Sequence, residues 1–205
     1  MCIRDRDNTN PHVIKYTWGI LHPDAWDANI YRQMLSWAED CARARICLAP
    51  EGSRVVMNHG TSNKDIPHKN ALEAYGYSLV RHFYRMLIEL DTPPTNPLIP
   101  DGLRIIPIDI ESELRAALVA MDDGFKDHWG HVAKPIDEML EQWKHYIQND
   151  SDFDPSLWYL AKDGDEIAGV CRCSAKMVED PDMGWVNQLC VRKPWRRRGL
   201  SLIHI

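Results

Sequence analysis

The 205 residues suffice for one large domain or two small ones. A composition of 44% hydrophobic and 26% charged residues is that of an ordinary globular chain. No apolar run approaches the roughly 18 residues that cross a bilayer, and the N-terminus has no apolar signal region, so a cytoplasmic protein with no membrane partner is expected. The net charge of −6 argues against a dedicated nucleic-acid binder, because phosphate contacts need a basic surface.

The two ends mirror one another at the level of DNA. Met1-Cys2-Ile3-Arg4-Asp5-Arg6 back-translates to ATG TGT ATA AGA GAC AG and one further base, and the reverse complement of that string encodes Leu200-Ser201-Leu202-Ile203-His204-Ile205. The element resembles a transposase end sequence, so residues 1–6 and 200–205 are expected to be non-native tails flanking a fragment, and both are set aside in reading the fold.

Between them, Asn29 to Arg45 reads as a helix whose apolar face is Ile30, Met34, Leu35, Trp37, Ala38, Cys41 and Ala42. A short strand over Ser53 to Met57 follows, then a helix over Asp65 to Tyr75 stopped by Gly76. Leu79 to Leu90 is rich in strand-forming residues and is expected to be β. Residues 91–100 hold four prolines, too many for a helix or a central strand, and read as a linker between residues 7–90 and 101–199.

After the linker, Leu103 to Ile108 reads as a strand and Ser112 to Phe125 as a helix. Pro135 is placed as the first residue of a second helix that ends near Gln148. Leu157 to Lys162 and Glu166 to Ser174 form a predicted hairpin turning at Asp163-Gly164, and Met183 to Val191 is the next strand. The six cysteines include no Cys-x-x-Cys pair; Cys171 and Cys173 fall on one face of their strand and are expected to be reduced thiols, with neither metal nor disulfide.

The stretch from Gly184 to Gly199 carries the chemistry. An apolar strand ends in a proline-containing turn, and five basic residues between Arg192 and Arg198 precede Gly199, where a helix is due to begin. A helix N-terminus exposes unpaired N–H groups, glycine lets the backbone approach closely, and arginines add charge, so the arrangement suits a pyrophosphate. It resembles the acyl-CoA motif of the GNAT acetyltransferases, Gln/Arg-x-x-Gly-x-Gly/Ala after the fourth strand. Arg196 stands at its first position and Gly199 at its first glycine; the closing Gly/Ala position falls on Ser201, inside the expected tail.

The resemblance implies an α/β fold built on a mixed sheet (α+β), and an N-acetyltransferase that moves the acetyl group of acetyl-CoA to an amine of a small molecule or peptide. It assigns the co-substrate contacts to Leu189, Cys190, Val191, Arg196, Arg197, Arg198 and Gly199. No general base is assigned, because Asn187 and Gln188 stand where many relatives carry a glutamate. A non-catalytic acyl-CoA-binding or scaffolding protein is the alternative, and a solvated basic loop or a nucleic-acid patch are the further readings of the arginines.

The residues before the linker resemble the C-terminal half of a second, degenerate GNAT domain, a tandem layout shared with mycothiol-synthase-like proteins, and those after it the N-terminal half of an intact one. On the same motif Trp26 replaces the arginine, Asn29 the first glycine and Tyr31 the second, which would block a pyrophosphate. As a fragment the chain is expected to be inactive and to hold acetyl-CoA only weakly and salt-sensitively. Asp127, His128 and His131 could contact an acceptor, although a surface turn is the preferred reading, and Glu179 to Asp182 reads as a solvated acidic loop. His59 and His82 have no evident partners in the sequence.

Overall fold

The computed structural model of the chain describes residues 12–94, 98–128, 131, 133–177 and 179–200. The tail expected at residues 1–6 lies outside them, as does the one expected at 200–205 apart from Leu200. Two compact units meet between Asp91 and Thr92.

In the first unit, β1 (His12–Thr17) and β2 (Arg54–His59) pair in parallel, from His12↔Arg54 to Thr17↔His59. Parallel neighbours need a crossover, and α1 (Ala28–Arg43) supplies it. Asp27 caps α1, its Oδ1 accepting from the amides of Asn29 at 2.7 Å and Ile30 at 3.2 Å. The buried face of α1 is Tyr31 and Leu35, which pack on Leu72 of α2 (Ile66–Tyr75). The broader stripe read from the sequence is not the buried one: Ile30, Met34 and Trp37 are exposed, because α1 docks through the i, i+4 pair next to them. At the end of α2, Gly76 adopts φ 112°, with its amide bonded to Glu73 O and that of Tyr77 to Leu72 O. That pair of bonds is a Schellman stop, which needs a residue at positive φ. Residues 79–90, expected to be β, are neither strand nor helix, and their large apolar side chains are exposed. β propensity yields a ladder only where a neighbour takes the hydrogen bonds, and no described strand pairs with this segment.

The second unit is a four-stranded antiparallel sheet in chain order: β3 (Leu103–Pro107), β4 (Trp158–Asp163), β5 (Glu166–Ser174) and β6 (Trp185–Val191). Between β3 and β4 run α3 (Ile110–Phe125) and α4 (Ile136–Asn149). Pro135 caps α4 from outside, and Ile136 is the first helical residue, one position later than expected. The β4–β5 loop is Gly164-Asp165, likewise one residue later, and Gly164 supplies the positive φ of 58° that the first position of a two-residue hairpin favours.

Leu114, Ala117, Leu118 and Met121 of α3 pack on Trp158, Leu160, Ile167, Val170 and Cys190 of the sheet. Burying a leucine such as Leu118 or Leu160 contributes about 1.5–3 kcal/mol. No described helix is long and apolar enough to cross a membrane.

Candidate functional site

Two glycines set how closely β6 is held. A Cβ on Gly169 of β5 would lie 2.8 Å from the backbone oxygen of Cys190, and one on Gly124 of α3 would lie 2.9 Å from the Cys190 sulfur. Cys190 is therefore clamped between helix and sheet, and burial pushes its thiol pKa up. Leu189 and Val191 point to the opposite face and, with Ile105, Tyr159, Ala161, Cys171 and Leu200, line a small cavity.

β6 is an edge strand, so one row of its backbone N–H and C=O groups faces no strand among the described residues. Register pairs Arg172 with Gln188 and Cys173 with Val186, which leaves Asn187 as an extra residue that bulges the edge. Cys171 and Cys173 bring their sulfurs to 3.6 Å, on one face as expected. Burial, then the neighbouring Cys173, pushes Cys171 up to about 12.

The basic turn after β6 divides into two groups. Arg192 Nε donates to Asp123 Oδ2 at 2.8 Å and Nη1 to Ile167 O at 3.1 Å, while Trp195 Nε1 donates to Asp163 Oδ2 at 2.8 Å. Arg196 spends Nε on Val191 O (2.8 Å), Nη1 on Asp127 Oδ2 (3.2 Å) and Nη2 on Gly124 O (2.9 Å). Lys193 also reaches Asp127, at 3.2 Å, and these cations hold the Asp127 pKa low, Lys193 most of all. Of the five basic residues, only Arg197 and Arg198 are exposed and take no hydrogen bond or ion pair among the described residues. Arg197 has φ 65° and Gly199 φ 84°, and a Cβ on Gly199 would meet nothing within 4 Å. The turn thus offers open backbone and two uncommitted guanidinium groups.

This segment is identifiable. Residues 119–201 match the acetyltransferase (GNAT) family. A GCN5-related N-acetyltransferase from Sphaerobacter thermophilus is similar in structure, with a TM-score of 0.72 and 27% identity over 90% of this chain and 55% of that one. The chain therefore spans little more than half the length of this GNAT relative. Two Pyrococcus horikoshii structures overlap less, with TM-scores of 0.38 and 0.37, identities of 16% and 17%, and coverage of 52% and 47% of this chain and 33% and 62% of theirs. No curated protein matches the chain.

Against the GNAT motif, Leu189, Cys190 and Val191 lie along the edge strand, Arg197, Arg198 and Gly199 on the open turn, and Arg196 in a clasp that joins the turn to α3. His131 Nε2 lies 2.8 Å from Asp122 Oδ1, and His128 packs edge-on against Phe125, both beside the Arg192 end of β6. Gln188 stands four residues up the strand from Arg192, about 13 Å along it. Asp180 in the acidic loop turns inward on its own backbone, its carbonyl accepting from Met177 and Met183 and its Oδ1 from Asp182. Trp129 and Gly130 lie outside the described residues.

In the first unit, Trp26 and Tyr31 sit among side chains of that unit. Tyr31, 1% exposed, sets its hydroxyl 3.0 Å from His59 Nε2 and donates to Gly19 O at 3.4 Å. Trp26 lies with its ring centroid 4.4 Å from that of His68. The sequence left His59 and His82 without partners. His59 also meets Thr17 Oγ1 at 3.0 Å, and His82 stacks on Tyr84. Burial lowers the His59 pKa and raises that of Tyr31 to about 12. Among the described residues no group of three His, Cys, Asp or Glu could hold a metal.

Proposed function

We propose that the protein is an N-acetyltransferase that moves the acetyl group of acetyl-CoA to an amine of a small molecule or peptide, and that the second unit alone holds the co-substrate. The observation that carries this is the free edge of β6 running into a turn whose Arg197, Arg198 and Gly199 are uncommitted. An amide-bearing pantetheine arm would complete the edge of the sheet at Leu189 to Val191, and the open turn would receive the pyrophosphate.

The residues fit that group. An N–C bond forms as the amine attacks the thioester carbonyl, and the C–S bond breaks to release the thiol. Backbone N–H groups of the bulged edge would stabilise the oxyanion, and much of the acceleration would come from positioning. Neither Asn187 nor Gln188 can accept the amine's proton, so it passes to water or to a group beyond β6. That same observation favours the second reading, a non-catalytic acyl-CoA-binding GNAT protein.

Residues 7–90 we read as the C-terminal part of a degenerate copy and 101–199 as the N-terminal part of the working one, in the tandem, mycothiol-synthase-like manner. Tyr31 at the carboxyl ends of the two parallel strands supports the first half of that reading, because ligands of parallel sheets enter there. The free thiols of Cys41, Cys47, Cys171, Cys173 and Cys190 support a cytoplasmic setting.

Calorimetric titration of the chain with acetyl-CoA at low ionic strength tests the assignment. One weak, salt-sensitive site is expected, weakened tenfold or more by Gly199→Val, which places a side chain on a backbone at φ 84°. Unchanged affinity in that variant removes the turn from the site, and two equivalent sites overturn the reading of Tyr31.

A further inference from the structure

We propose that Arg172 anchors a carboxylate of the acceptor, so that the amine acetylated is an amino-carboxylate; this rests on the placement of the acetyl group at the edge of β6. Arg115, Arg192 and Arg196 of the second unit each hold an aspartate, at 2.6, 2.8 and 3.2 Å. Arg172, part-buried on β5, has no carboxylate in ion-pair contact among the described residues. It lies instead over two rings, its guanidinium carbon 5.1 Å from the Trp143 centroid and 5.6 Å from that of Tyr146. The Asp150 carboxyl is held low first by its bond to the Tyr146 hydroxyl, with a smaller contribution from Arg172.

The guanidinium is also oriented. Its Nε donates to Gln188 Oε1 at 3.2 Å and its Nη1 to the Tyr146 hydroxyl at 3.4 Å, which leaves Nη2 without a protein acceptor among the described residues. A part-buried arginine with no carboxylate in ion-pair contact among the described residues, held in place by an amide and two aromatic rings, is built to take an anion, and the fork geometry selects a carboxylate. Its place selects the acceptor rather than the co-substrate. Arg172 pairs with Gln188 across the sheet, next to the bulge at Asn187 and at the end of β6 away from Arg197 and Arg198. Because Gln188 of β6 itself accepts from the guanidinium, a carboxylate on Arg172 would hold the acceptor beside the strand where the thioester is placed.

The test is calorimetric binding of two amines that differ by one group, L-phenylalanine and 2-phenylethylamine, to the full chain. Phenylalanine is expected to bind at least tenfold more tightly. The gap should vanish in Arg172→Gln and persist in part in Arg172→Lys, which keeps the charge and controls for folding through its melting curve. Equal behaviour of the two amines with the unsubstituted chain, or an undiminished gap in Arg172→Gln, overturns the proposal. Acetyl-CoA titrated separately into the same proteins distinguishes the two readings: its failure to bind the unsubstituted chain counts against the acetyltransferase, whereas normal binding beside equal amines counts against Arg172 alone.

Discussion

The guanidinium of Arg196 donates to the backbone carbonyl of Gly124 at 2.9 Å, across 72 residues of sequence, and so fastens the basic turn to the end of α3. The arginine at the first motif position is thereby a structural clasp, and the two that follow are uncommitted among the described residues.

Arg196→Ala and Arg198→Ala should therefore part company. Losing the clasp removes three hydrogen bonds from a partly exposed charged group, and about 1–2 kcal/mol of stability should go with it. Arg198→Ala should stay within about 0.5 kcal/mol of the parent while weakening acetyl-CoA. Urea denaturation read beside calorimetry separates the two. Equal stability of both variants would show that Arg196 is not a clasp.

Gly169→Ala should be more damaging than Gly124→Ala. At Gly169 the new methyl meets a backbone oxygen at 2.8 Å, which cannot move without breaking the β5–β6 ladder, so a loss of about 2–3 kcal/mol is expected. At Gly124 the obstacle is the Cys190 side chain, so Gly124→Ala should be partly rescued by Cys190→Ala. Thermal melts of the two single variants and the double variant decide it; no rescue would mean that the packing of α3 on β6 is looser than described.

The first unit should lose stability as the pH falls below about 6.5. Burial depresses the His59 pKa in the folded state, so below 6.5 the unfolded chain binds the extra proton and folding is penalised, until the folded pKa is also passed. The ring faces the Tyr31 hydroxyl, Thr17 Oγ1, the Tyr77 ring, the Gly19 carbonyl and His68; the Gly19 carbonyl favours the charged ring, but burial, which disfavours it, is the larger effect. His59→Gln should flatten stability between pH 5 and 7 in urea titrations followed by tyrosine and tryptophan fluorescence. A slope that survives the substitution assigns the effect elsewhere.

The stop of α2 was the most legible helix end, because Gly76 permits the positive φ that a Schellman stop needs, which a sequence displays directly. The start of α1, capped by Asp27, was read at Asn29, one residue late, and its end at Arg45, two residues late. The hairpin and helix starts at Gly164 and Pro135 were each misplaced by one residue, because either register satisfies the same local preference and the ladder chooses. Residues 79–90 show the limit of propensity: apolar and β-branched side chains were present, but the pairing neighbour that makes a strand was not among the described strands.

At the candidate site, residue identities alone determined that an edge of apolar strand runs into a basic, glycine-terminated turn, since strand periodicity and backbone freedom are local properties. They also determined that Asn187 and Gln188 cannot act as bases. Only the tertiary structure decided which arginines are committed. Asp123 and the Gly124 carbonyl of α3, and Asp127 of the turn after it, reach Arg192 and Arg196 from about 70 residues away in sequence, and electrostatic pairing depends on distance in space. For the same reason the sequence could not distinguish Arg172 from its neighbours. Its lack of a carboxylate in ion-pair contact among the described residues is a property of what α4 and β6 place around it, and a chain read in one dimension has no such surroundings.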